Sequence, residues 1–445
     1  MKTRRNSKEF NRGITMAIIV DKTDNRITIQ VTVELSGSML EMEKKIQDQV
    51  NEVGNLATSE ALTMFDSTGE TIKIAGIKLT SKGKVAKEYQ TPYGSLRLER
   101  YVYQTSKGGE TFCPLDERAK IIISSTPKLA QLLSHKYASL SAKEVANDLE
   151  LNHGRKTIPS FVQQAAETVG IIAQASEELW DYELPAQTQP VASISTSLDG
   201  TCVLIRDEGY REAMTGNISL YDFAGERIHT IYLGAAPESG KEKFLAHLEN
   251  ELSKVRKKYP DAAYIGLADG SKINWDFLEK RTEHHILDFY HATEYLSSAS
   301  HAFSETATDR FKWFSQACHK LKHDENGALE LKLEMEARAT EIETDKEVGG
   351  LIKKQLKSAI VYFNNQLSRM KYSEYVAQNF PIGSGVVEAA CKTLIKQRLC
   401  RSGMRWKHQG AGIVISLRAL VQTTGRWTQF WNKINQASIS DLIVA

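Results

Sequence analysis

The chain of 445 residues is 41% hydrophobic and 25% charged, ordinary for a folded protein and enough for about two to four domains with cores of their own. That composition excludes wholesale disorder, and no internal repeat or low-complexity tract is visible. The formal net charge is only +2, so placement matters more than sum: residues 324–347 hold nine Asp/Glu against three Lys/Arg, whereas 389–440 hold nine Lys/Arg and no acid.

Five cysteines (113, 202, 318, 391 and 400) form an odd, scattered set with no CxxC, the pattern of reduced thiols rather than of a disulfide frame or a zinc site. No stretch approaches membrane-spanning length, and residues 1–12 lack the apolar run of a signal peptide. The expectation is a cytoplasmic protein without a membrane.

In chain order, residues 1–15 read as a basic, polar arm. Residues 27–35 alternate as a strand, and 38–65 carry helical spacing through Met39, Met42, Ile46, Val50 and Val53. Strands follow over 71–79 and 85–103, with Thr91-Pro-Tyr-Gly94 as a turn, so 1–115 reads as an arm and a small α/β module. From residue 116 to 180 the pattern is helical: 118–133, 141–149 and 158–169. Ser141 followed by Glu144 is capping-box spacing, and Pro159 is placed for a first helical turn. Two short helices over a polar connection resemble a helix-turn-helix, with Arg155 and Lys156 at the entry to the second. An ordinary helical hairpin gives the same pattern.

Residues 181–190, with two prolines, read as a linker. Beyond them the order is strand 191–205, strand 210–222, strand 227–233, helix 240–259, strand 263–268, helix 273–280 and strand 285–289, which predicts a mixed α/β sheet covered by helices. From 293 to about 370 the period is helical throughout. A turn at Pro381 then opens a helix carrying Glu388, with Lys392 and Lys396 on its face at i+4 and i+8 and Val387, Cys391, Leu394 and Ile395 on the opposite side.

Two sheet strands end in the same phrase, Leu198-Asp199-Gly-Thr and Ala268-Asp269-Gly-Ser. Acids at strand ends followed by glycine sit where open α/β sheets keep their ligands. Taken singly, each Asp-Gly is ordinary turn chemistry, and Glu388 an ordinary acid near a helix start. Together, Asp199, Asp269 and Glu388 offer the hard oxygen ligands that Mg²⁺ prefers. Two such ions, about 3.5 to 4 Å apart, suit an in-line phosphoryl displacement. Lys392, Lys396, Arg398, Arg401, Arg405 and Lys407, with Trp406 interleaved, suit the phosphates of a polyanion.

The order of elements over 191–292, the two Asp-Gly strand ends, the helical interruption and Gly383-Ser-Gly-Val-Val-Glu-Ala-Ala-Cys391 with the basic run to Trp406 resemble the DDE transposases of bacterial insertion sequences, of the ISKra type. The resemblance covers most of 90–430 and is strongest over 381–406. It implies an RNase H-like catalytic domain in two parts, 186–292 and 376–425, separated by an all-helical insertion, 293–375, and followed by a tail, 426–445. Matched position by position, Asp199, Asp269 and Glu388 are the three catalytic acids, and they would hold two Mg²⁺ ions, with Mn²⁺ able to substitute. The 119 positions from Asp269 to Glu388 leave room for the insertion. Asp288-Phe-Tyr-His291 matches a D/C-x-x-H pair that supports the active site of related Mutator-like enzymes; the plainer reading is a hydrogen-bonded pair fixing a strand end. Trp313 falls where relatives place an aromatic that stacks on an unpaired base, although a tryptophan there also suits a core. The chain departs from the pattern at Cys113, single where many relatives carry a cysteine-paired zinc element, and one thiolate cannot make a structural zinc site.

The resemblance implies cleavage at terminal inverted repeats and joining of the 3′-OH to target DNA, with double-stranded DNA (element ends and target) as partner. It also implies a homodimer or higher oligomer on DNA, and a nucleoid-associated protein when bound. An RNase H-like nuclease or resolvase that hydrolyses without joining, and a sequence-specific DNA-binding protein without activity, are the alternatives.

Overall fold

The computed structural model describes residues 17–437 except 75, 178, 239 and 240. The basic arm 1–15 and the last eight positions of the tail lie outside the described residues. The chain forms two compact units, one of residues up to Ala175 together with Trp431 onward, the other Ser176–Phe430.

In the first unit, β1 (Ala17–Thr23) and β2 (Arg26–Val31) pair antiparallel. Helix α1 (Met39–Thr63) starts at a reciprocal capping box: the Ser38 hydroxyl accepts from the Glu41 N–H, and the Glu41 carboxylate accepts from the Ser38 N–H at 2.7 Å. Strands β3 (Ile72–Ile74), β4 (Ile77–Gln90), β5 (Ser95–Thr105) and β6 (Gly108–Phe112) form an antiparallel sheet in sequence order. The turn at 91–94 lies where the sequence puts it, but the expected break between residues 79 and 85 is only a register shift between Ser81 and Lys84 within β4.

The helix expected over 118–133 is in fact two, α2 (Pro114–Arg118) and α3 (Pro127–Tyr137), because Lys120 and Ile123 take positive φ angles of 55° and 64° between them. Helix α4 (Ala142–His153) has the expected capping box, ends on left-handed Gly154 and is followed by α5 (Pro159–Ser176). Arg155 between them is buried, its Nε donating to the Thr91 carbonyl at 3.0 Å and its Nη2 to Gln90, so this cation braces the β4–β5 turn.

The second unit is built on a five-stranded sheet in the order β11-β10-β7-β8-β9, from β7 (Ser193–Ile205), β8 (Gly209–Tyr221), β9 (Arg227–Ala235), β10 (Ala263–Ala268) and β11 (His284–Leu287). The first three strands are antiparallel neighbours; β10 runs parallel to β7, and β11 parallel to β10. Helix α6 (Glu242–Lys258) precedes β10, and α7 (Lys272–Leu278) joins β10 to β11. Phe244, Leu248, Leu252 and Val255 share the buried face of α6. A Cβ on Gly216 of β8 would lie 3.0 Å from the Phe244 ring and 3.5 Å from Leu248, so glycine there lets the helix close on the sheet.

Five helices follow: α8 (Phe289–Ala299), α9 (Ala307–His323), α10 (Gly327–Ile342), α11 (Gly350–Gln366) and α12 (Tyr372–Ala377), with no strand among the described residues between β11 and the chain end. The helix opened by Ser384 runs as α13 (Gly385–Ala390), a π turn (Cys391–Lys396) and a last α-helical turn, α14 (Gln397–Leu399). Helix α15 (His408–Gln422) packs on β9, where Ile415 meets Gly234, and α16 (Arg426–Gln436) completes the described chain. The architecture is thus mixed α/β. Among the described residues no helix is long and apolar enough to cross a membrane, and all five cysteines are free thiols.

A buried ion pair joins α6 to the start of α16: Arg426 Nη2 binds Glu251 Oε2, with side chains 9% and 3% exposed. Burial raises the Glu251 pKa, but Arg426 and Lys254 outweigh it and leave the carboxyl below its usual value of 4.5. A depressed carboxyl stabilises the fold above its unfolded pKa and loses that contribution as pH falls through the folded value. Glu251→Ala, which strands Arg426, should lower stability by about 3 to 5 kcal/mol at neutral pH in urea unfolding, and its deficit relative to wild type should shrink on acidification below pH 4.5.

Candidate functional site

Strand pairing brings the two aspartates together. The last paired residues of the parallel β7–β10 ladder are Thr196 and Gly266, and Asp199 and Asp269 each lie three residues beyond. Buried Asn274, in the first turn of α7, donates to the Leu198 carbonyl at 3.2 Å and to Asp269 Oδ1 at 3.4 Å, bridging β7 and the end of β10. Asp269 follows the end of β10 as expected, but Asp199 does not end its strand: β7 runs on, paired with β8, to Ile205, so Asp199 lies only beyond the parallel pairing with β10. Asp269 Oδ1 also accepts from the Ser271 N–H at 3.0 Å, and its carbonyl accepts from the Trp275 indole at 2.7 Å. The turn after Asp269 is close-fitting, since a Cβ on Gly270 would come within 2.8 Å of the Tyr362 ring on α11.

Asp199 is held by the Gly200 N–H on Oδ1 (2.7 Å) and the Cys391 thiol on Oδ2 (3.3 Å); Cys391 in turn lies 3.0 Å from Thr215 of β8. Burial is the main cause that raises the Asp199 pKa; the two hydrogen bonds oppose it, and the charges of Asp269 and Glu212 add to it. Burial also pushes the Cys391 thiol up to about 12.

Glu388 reaches the same place from the other end of the unit. It is exposed on α13, its Oε1 accepts from the Ser384 hydroxyl at 2.9 Å, and it lines a cavity of about 640 Å³ with Asp199, Cys391, Lys392, Lys396 and Gln397. Glu388, Lys392 and Lys396 therefore share one face, and Val387, Leu394 and Ile395 are buried; Cys391, expected on the opposite side, is buried too but lies at the cavity, because i+3 from Glu388 brings its thiol round to Asp199. Asp269 does not line this cavity and meets Asp199 from beside it.

The π turn frees backbone carbonyls from the regular ladder, and Arg418 of α15 takes them up, its Nε donating to Leu394 at 2.8 Å and to Thr393 at 3.0 Å. Gln422 adds a bond to Thr393 at 3.3 Å.

Among the described residues no three His, Cys, Asp or Glu side chains stand together as a metal cluster. By chemistry the acids nevertheless suit a hard divalent cation. All three supply carboxylate oxygens, and Asp199 is raised by burial and by two neighbouring negative charges that a cation would offset.

Of the remaining sequence candidates, Lys392, Lys396, Arg401, Arg405 and Lys407 are exposed. Arg405 and Lys407 flank Trp406 in an extended segment bridged to β7, where the Trp406 N–H donates to Leu204 and the Arg206 N–H donates to the Trp406 carbonyl. Arg398 corrects the expectation of a phosphate contact. It is 2% exposed, with its guanidinium 5.1 Å from the Trp406 ring, whose indole N–H donates to the Leu399 carbonyl at 2.9 Å. Both side chains are bound into the protein. Trp313 stacks on Phe303 at 4.1 Å and donates to Glu334 at 2.7 Å, so its ring also has protein neighbours. Asp288 and His291 do not pair through their side chains: Asp288 Oδ1 accepts from the His291 backbone N–H at 2.8 Å, while the imidazole faces Glu294 at 3.3 Å and meets edge-on the stacked rings of Tyr295 and Tyr362.

The residues missed by the sequence reading are Thr215, Asn274, Ser384 and Arg418. Ser384 alone left a local signal, four residues before Glu388 at a helix start. No protein-family model matches the chain, and a search of curated proteins found no match.

Two outcomes test this geometry. Iodoacetamide at about pH 8 should label exposed Cys202 and Cys400 well before buried Cys391, as read by peptide mass spectrometry; equal labelling would show an open Cys391. Gly270→Ala should lower stability by about 1 to 3 kcal/mol through the collision with Tyr362, and Gly270→Ala combined with Tyr362→Ala should recover part of the packing strain in a double-mutant cycle.

Proposed function

We propose that the chain is a DDE transposase with an RNase H-like core, in which Asp199, Asp269 and Glu388 are the catalytic acids. The observation that carries this reading is the meeting of Asp199 with Asp269 across the β7–β10 register and with Glu388 across one cavity, although 119 positions separate the last two acids. The mixed sheet and the helices α8 to α12 between its last strand and the Glu388 helix support an RNase H-like domain with a helical insertion. The cations beside Glu388, in a stretch free of acids, support DNA as the partner.

Bound Mg²⁺, with Mn²⁺ as a substitute, would supply charge stabilisation to the attacking and leaving oxygens of a phosphoryl displacement. The chain's own residues do the positioning. Asn274 and the β7–β10 ladder hold the aspartates side by side; the Cys391 thiol and the Gly200 N–H orient the Asp199 carboxylate; Lys392 and Lys396 set positive charge around the scissile phosphate. Exposed Arg401, Arg405 and Lys407 carry the flanking backbone, positioning DNA without reading it. Water breaks a P–O3′ bond at the element end; the freed 3′-OH then forms a new bond to phosphorus in target DNA as that strand's own P–O3′ bond breaks. No covalent protein intermediate is involved. Two element ends in one reaction favour a homodimer or higher oligomer.

Purified protein with Mg²⁺, a labelled pre-cleaved end duplex and a supercoiled plasmid tests the reading beside Glu388→Gln. Joined product that disappears in the variant is expected; nicking without joining would favour a nuclease, and binding with neither would favour a DNA-binding protein. In salt titrations, Arg405→Ala and Lys407→Ala should each reduce the slope of log K against log salt by about 0.9, whereas loss of buried Arg398 should act on stability first.

A further inference from the structure

A chain of hydrogen bonds connects the end of β11 to Glu388. Asp288, directly after β11, is wholly buried, and both carboxylate oxygens are engaged. Oδ1 accepts from the His291 N–H and caps α8; Oδ2 accepts from the Ser384 N–H at 2.6 Å, 96 positions later in the chain. The Ser384 hydroxyl then donates to Glu388 Oε1 at 2.9 Å. The backbone repeats the connection, with Phe289 N–H on the Ile382 carbonyl at 2.9 Å and Asp288 N–H on the Ala268 carbonyl at 2.9 Å, next to Asp269.

Capping α8 alone does not call for this arrangement, because an exposed Ser, Thr or Asn would serve. A buried carboxylate is costly unless its oxygens are hydrogen-bonded, and here the second oxygen is spent on the turn that opens the Glu388 helix. An asparagine in its place would offer one oxygen to two backbone N–H donors. Glu388, by contrast, is an exposed side chain with several rotamers open to it, and the Ser384 hydroxyl selects one of them by a single oxygen.

We propose that Asp288 and Ser384 are positioning residues for Glu388: Asp288 fixes the Ser384 backbone against the ends of β10 and β11, and the Ser384 hydroxyl holds one oxygen of Glu388 so that the other is directed to a ligand in the cavity shared with Asp199. The proposal rests on the reading of Glu388 as the third acid and adds how it is kept in place.

The test uses the full chain and the variants Ser384→Ala, Ser384→Thr, Asp288→Asn and Glu388→Gln, with Mn²⁺ binding read by electron paramagnetic resonance and joining of pre-cleaved ends read as kcat and KM. Ser384→Ala should weaken Mn²⁺ binding and lower kcat by about tenfold or more with KM for DNA unchanged, and Ser384→Thr, which keeps the hydroxyl, should restore both. Asp288→Asn should shift both in the same direction; if it does not fold, the Ser384 pair decides alone. A Ser384→Ala protein with wild-type Mn²⁺ affinity and kcat, or one altered only in Tm, overturns the positioning role while a Glu388-dependent activity leaves the transposase reading standing. Wild-type protein that binds no Mn²⁺ and is indifferent to Glu388→Gln overturns both.

Discussion

The parallel pairing of β10 with β7 is the constraint on which the second unit turns. It sets Asp199, within β7, beside Asp269, just past the end of β10, where burial above all, and then the neighbouring charge of Asp269, raise the Asp199 pKa. Packing alone gives no reason for that placement. The fold maintains it with backbone register and with Asn274, whose amide spans both strands, so the cost is carried by the sheet and not by flexible side chains. Glu388 joins them only because α8 to α12 return the chain to the same edge.

The strands and α6 of the second unit were legible because alternation, helical period and turn residues agree there; the observed bounds differ from the expected ones by at most two residues. The Ser141–Glu144 capping box was legible for the same local reason, whereas the equivalent Ser38–Glu41 box at the start of α1 emerged only from the structure. Strand β1 was not, since Asp21-Lys-Thr gives it a polar end that merges with the basic arm. The break after α2 rests on positive φ at Lys120 and Ile123, residue types that carry no turn signal. Asp269 and Glu388 have the strand-end and helix contexts that marked them out, whereas the Asp-Gly phrase at Asp199, read as a strand end, lies inside β7. Their supports could not, because Asn274 to Leu198 and Asp288 to Ser384 bridge 76 and 96 positions and no local pattern encodes such a bond.

The acid-free stretch divides in a way that a count of charges hides. Arg398, Arg418 and Arg426 are buried, and Arg418 caps carbonyls released by the π turn. Burial, with Arg398 and Arg401 nearby, brings the Arg418 pKa down to about 10, which still leaves it charged at neutral pH. Part of the positive charge therefore holds the Glu388 helix in shape, and part is available at the surface. The shortage of acids serves both ends, since a nearby carboxylate would compete with the Thr393 and Leu394 carbonyls for Arg418 as well as with phosphates outside; Arg426 finds its carboxylate in Glu251, far off in the chain.

The bridge between Trp406 and Ile205 has a consequence of scale. Asp199 and Ile205 belong to one strand, six residues apart, a span of about 20 Å along β7. If Arg405 and Lys407 grip the DNA backbone, the bridge fixes that grip to the strand that carries the first acid. About 20 Å is the rise of some six base pairs, so on the proposed reading β7 would set the spacing between the held phosphates and the reacting one, a distance built into a strand paired along its length and not into a loop.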